Sequence, residues 1–71
     1  MSISPTDLRA VASVGGGMII SAKIISSTDL RAIASVGDGI KVIRNANALS
    51  PTDCRAIASV GKGKVIFDFT S

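Results

Sequence analysis

The sequence predicts an α/β fold: a short right-handed solenoid of three helix-turn-strand repeats, with a three-stranded parallel sheet and the helices on one face. Two observations predict it. A fourteen-residue stretch occurs three times, as SPTDLRAVASVGGG from Ser4 to Gly17, SSTDLRAIASVGDG from Ser26 to Gly39 and SPTDCRAIASVGKG from Ser50 to Gly63, with ten positions identical in all three copies. Each copy is followed by a short run rich in Ile and Val, and helix alternating with strand at a period of 22 to 24 residues sets parallel strands side by side. The 71 residues then read as one domain of three units, 3–24, 25–48 and 49–71.

The repeated stretch has the marks of a helix with defined ends. Ser4 stands at the N-cap, Pro5 falls on the first helical position, where a missing N–H costs nothing, and Asp7 sits three residues after the cap, where it can bond back to the cap N–H. Ile3 and Leu8 have the spacing of a hydrophobic staple, repeated by Ile25 with Leu30 and by Leu49 with Cys54. At 100° per residue Leu8, Val11, Ala12 and Val14 share one arc, opposite Thr6, Arg9 and Ser13. Gly15 ends the helix, and a strand is expected from Met18 to Ile24. The second unit repeats this order, with a turn at Gly37-Asp38-Gly39 and a strand from Ile40 to Asn45. Residues 45–48 make a slightly longer link to the third helix. The third unit turns at Gly61-Lys62-Gly63 and ends in a strand from Lys64 to Thr70.

Composition narrows the chemistry. The chain has no His, Trp, Tyr or Glu, a single cysteine, and only two aromatic residues, Phe67 and Phe69. One cysteine excludes an intramolecular disulfide, and at Cys54 it replaces the leucine of the other two copies, which reads as a small core hydrophobe. The GxG turns follow helices instead of leading a strand into one, the reverse of a phosphate-binding loop. Ser13, Ser35 and Ser59 have no base beside them for nucleophilic chemistry, and five aspartates with one cysteine and no histidine make a poor metal set. No catalytic residue, cofactor site or metal site is expected, and the protein reads as a non-enzyme. No signal peptide or membrane-spanning run is visible, so a cytoplasmic location is the default expectation.

The regular unit is similar to those of the leucine-rich-repeat family in repeat length, in having one strand and one helix per unit, and in its regular apolar positions. The family's leucine-spaced strand motif with a buried asparagine is not matched, although Asn45 and Asn47 lie near a strand end. The resemblance implies a binding scaffold without catalysis, and it assigns no binding residue to this chain.

Self-association is the functional expectation. A unit of this kind covers its apolar flank with a neighbour, and both ends of the chain look like interior repeats. Val42-Ile43 and Val65-Ile66-Phe67 are consecutive apolar residues, so both sheet faces are apolar while helices cover only one. A homo-oligomer, in the first instance a dimer, is expected through the helix-free face or the strand edges, with Phe67, Phe69, Ile66 and Ile43 as interface residues. For the two phenylalanines, capping the core under the third helix is an equal alternative.

The other reading is a small basic module for nucleic acid or another anion. Net charge is +3, because Asp and Arg cancel within each helix and the excess comes from turns and strands. Lys41, Arg44, Lys62 and Lys64, with Lys23, are the candidate anion-binding residues. Nucleic-acid binding is disfavoured by the lack of aromatic stacking residues and by the acids beside Arg9, Arg31 and Arg55, which are expected to form Asp–Arg ladders between helices.

Overall fold

Ser4, Ser26 and Ser50 each sit in extended backbone and accept, through Oγ, the N–H of the aspartate three residues on: Asp7 at 3.2 Å, Asp29 at 3.2 Å and Asp53 at 3.1 Å. These caps start the three helices of the computed structural model, which describes residues 3–70. In the first copy Asp7 also accepts from the Ser4 backbone N–H at 3.4 Å, completing a capping box. Ser26→Ala should therefore lower stability by about 1 kcal/mol. Urea denaturation followed by far-UV circular dichroism would read this, and an unmoved midpoint would place the helix start elsewhere.

The elements run α1 (Pro5–Ser13), β1 (Met18–Ser21), α2 (Ser27–Ala34), β2 (Lys41–Arg44), a 3₁₀ turn (Ala46–Ala48), α3 (Pro51–Gly61) and β3 (Val65–Phe67). The strands form an open parallel sheet in the order β1-β2-β3, with Met18 opposite Lys41 and Lys41 opposite Val65. In the helix layer α2 packs against both α1 and α3.

The strands are shorter than the apolar runs that predict them. β1 stops at Ser21 because the Ile24 and Ile25 N–H groups turn back to the Ser21 carbonyl at 3.2 and 3.1 Å, while Ser21 Oγ bonds to Asn45 Oδ1 at 2.8 Å. Asn45, in the left-handed region at φ 57°, ends β2 and opens the 3₁₀ turn. The register also departs from a simple overlay of the repeats. β1 begins directly after its GxG turn, whereas β2 and β3 begin one residue later, which brings Ile19-Ile20, Val42-Ile43 and Ile66-Phe67 into line.

Because side chains alternate across a strand, the line-up sorts them by face. Ile20 and Ile43 are buried with Leu30, Ile33, Ala34 and Ile57 of the helices, and Met18, Val65 and Phe67 pack at the edge of that core. The middle unit is the best covered. Its Leu30 is 0% exposed, while the same motif position is half-buried as Leu8 in α1 and as Cys54 in α3.

Val14, expected on the buried arc, is instead 86% exposed. It is the C-cap residue, already off the helical path, and no further chain covers it. The expected Asp–Arg ladders do not form either: among the described residues no ion pair joins Asp7, Asp29 or Asp53 to Arg9, Arg31 or Arg55. The carboxylates stand in the first helical turns beside their own caps, and the arginines extend into solvent.

Candidate interaction surfaces

The face of the sheet away from the core carries a row of apolar side chains at one register level: Ile19, Val42 and Ile66. Ile19 is 69% exposed and Ile66 53%, with Ile40 also exposed just before β2. Beside β1 the row runs into a groove lined by Ile3, Leu8, Ile19 and Ile24, with Arg44 at its end. Ile24 and Ile3 are exposed as well, so most of the large apolar surface of the chain lies on this face and around β1.

The four residues expected at an interface divide between two environments. Ile66 points out from the free face. Ile43 is fully buried beneath the helices, because at its strand position the alternation turns it inward; it is a core residue, which takes it out of the interface set. Phe67 is half-buried against the same core. Phe69 lies beyond the end of β3, largely exposed, with its ring stacked on Phe67 at a centroid distance of 6.1 Å and an interplanar angle of 20°. The pair thus joins the core edge to the surface. Ile19, Ile24 and Ile40 are apolar surface residues absent from the expected set, and the consecutive pair Ile19-Ile20 carried the same signal as Val42-Ile43.

The candidate cations do not converge. Lys41 is 0% exposed, and its Nζ donates to the Val36 carbonyl at 2.6 Å and to the Gly37 carbonyl at 3.4 Å, just beyond the C-terminus of α2. A cation there faces the negative end of the helix dipole and supplies a donor to two carbonyls of the turn that follows α2. Lys41 is therefore a structural residue and leaves the anion-binding set. Period-two alternation ties Lys41 to the same side as Ile43, and the sheet register decides that this side is the core.

Arg44 is exposed at the C-terminal end of β2, whereas Lys62 and Lys64 are exposed at the opposite, N-terminal end of the sheet, lining a cleft between the second and third turns together with Asp38. Strand length alone separates the two ends by roughly 10 Å at about 3.3 Å per residue. Lys23 is exposed in the turn after β1.

Cys54 is a free, half-buried thiol on α3. Among the described residues no three His, Cys, Asp or Glu side chains gather where a metal ion could be held, and no helix is long and apolar enough to cross a membrane. Comparison with protein-family models, with curated proteins and with solved structures finds no match to this chain.

Proposed function

We propose that the chain is a non-enzymatic structural or protein-interaction module of the repeat-solenoid kind, and that it associates with itself through the helix-free face of its sheet. The observation that carries this reading is the apolar row Ile19–Val42–Ile66 on the helix-free face, half-buried at Val42 and exposed at Ile19 and Ile66. A parallel sheet is ordinarily covered on both faces, and here one is left open to water. A second copy laid face to face supplies the missing layer, as two sheets pack in a sandwich about 10 Å apart. The likeness of the unit to leucine-rich repeats agrees with a scaffold that binds and does not catalyse. The scattered cations favour this reading over an anion-binding module, which needs its charges gathered on one surface.

The test is solution mass by light scattering over a range of concentrations, for the wild type and for Ile66→Lys. The wild type is expected to associate at least as far as a dimer. Removing one large apolar side chain from each half of the contact, at about 1.5–3 kcal/mol per side chain, should weaken it tenfold or more. Because Ile66 is exposed in the single chain, the far-UV spectrum should not change. A wild type that stays monomeric at high concentration would sink the proposal.

A further inference from the structure

The units bury one another in a fixed direction, and the two ends of the chain are left with the two halves of that contact. Val11, Ile33 and Ile57 occupy the same position of the repeated motif, yet Val11 is 43% exposed while Ile33 is 1% and Ile57 0%. Ile3 and Ile25 differ in the same sense, at 49% and 7%. These positions are covered only where a unit precedes them. Ala12, Ala34 and Ala58 show the opposite trend: the first two are buried and Ala58 is exposed, so this position is covered only where a unit follows.

The turns report the same polarity. Gly37 of the second unit lies against the Ala12 backbone of the first, and Gly61 of the third faces Ala34 Cβ of the second at 3.9 Å from where its own Cβ would stand. A Cβ placed on Gly15, the equivalent residue of the first unit, would meet nothing within 4 Å, because no unit precedes it there. Likewise β1 and β3 are the edge strands and each has one unpaired side.

We infer that copies of this chain stack head to tail, the α3–β3 end of one receiving the α1–β1 end of the next, so that Ala58 meets Val11 and Gly15 of the second copy and β3 continues the parallel sheet into its β1. The occupant is a second copy because the interface it would form already occurs twice within the chain, between α1 and α2 and between α2 and α3. Such a contact is heterologous, and repeated without closing into a ring it builds open-ended chains. It goes beyond the face-to-face contact proposed above and uses different surfaces.

The test separates the two. All proteins carry Ile66→Lys, which weakens the face contact tenfold or more; Ile19→Lys serves instead if Ile66→Lys alters the far-UV spectrum. In that background the average mass by light scattering should rise continuously with concentration, past two copies and without a plateau. Val11→Lys blocks one end and Ala58→Arg the other, both at exposed positions, and each should return the protein to a monomer. An equimolar mixture of the two variants retains one intact pair of ends and should form a dimer and nothing larger. Mass independent of concentration in the Ile66→Lys background, or a mixture that stays monomeric, overturns head-to-tail stacking. If the wild type is nonetheless a dimer, the face contact survives that failure.

Discussion

Gly37→Ala is expected to cost about 2–5 kcal/mol, a large fraction of the stability of a chain this size. Two independent penalties meet at this residue. Its φ is +72°, a conformation that costs an L-residue with a side chain roughly 1–2 kcal/mol. An added Cβ would also drive into the Ala12 carbonyl oxygen and stand 2.9 Å from its carbon, and backbone there cannot swing aside as a side-chain tip would. Overpacking of this kind adds roughly 1–3 kcal/mol. Against a total near 0.05–0.15 kcal/mol per residue, or about 4–10 kcal/mol for a chain of 71, the loss is a large fraction. The informative control is Gly15→Ala, the same motif position in the first copy. There φ is +94° but nothing lies within 4 Å, so only the conformational penalty of roughly 1–2 kcal/mol should appear. Urea midpoints for the two variants measure the difference. Equal losses would mean that the second turn does not rest on the end of α1.

Lys41→Ala is the second large effect, at about 3 kcal/mol. Truncation leaves a cavity at a fully buried position, where comparable long side chains cost roughly 2–5 kcal/mol, and removes the donor from the Val36 and Gly37 carbonyls. Lys41→Met separates these contributions. Methionine keeps most of the volume and sits at the same register level as Met18 and Val65, so only the hydrogen bonds are lost, and a smaller destabilisation of about 1–2 kcal/mol is expected. Burying an ammonium also costs desolvation, which apolar replacements of similar size recover in some proteins. If thermal or urea denaturation finds Lys41→Met as stable as the wild type, the ammonium contact with the end of α2 contributes nothing net.

Lys41 also illustrates where a linear reading stops. As a cation between a turn and an apolar run it joined the candidate anion-binding residues, because charge is counted along the chain without regard to side. Its burial depends on the strand beginning one residue later than in the first copy. That register is a property of the sheet, set when Val42-Ile43 lines up with Ile19-Ile20 and Ile66-Phe67. Ile43 went to the interface set for the same reason and lies in the core. Ile66, on the opposite parity, faces solvent.

The helix starts were fully legible. Ser, Pro or Ser, Thr and Asp act on backbone groups within four residues, so the cap hydrogen bonds recur at 3.1 to 3.2 Å in all three copies whatever surrounds them. The helix ends were legible in two copies of the three, where Gly15 and Gly37 take the left-handed position at φ +94° and +72°, and not in the third. Nearly identical sequence gives helices of 9, 8 and 11 residues, and in the third copy the left-handed position falls on Lys62, a residue before Gly63. The second turn is held by the backbone of the first, with the Cβ position of Gly39 only 2.7 Å from Gly15 O, whereas Gly63 has no neighbour within 4 Å and α3 is free to run on.

By itself, then, the sequence determined the order of helices and strands, the caps that start each helix, and the apolar character of both sheet faces, because all three follow from contacts or periodicities shorter than one unit. Only the tertiary structure decided the strand register, which residues of each apolar pair face the helices, where the third helix stops, and which copies of one motif position are covered. Those depend on what lies beside a unit, and three nearly identical units have three different sets of neighbours.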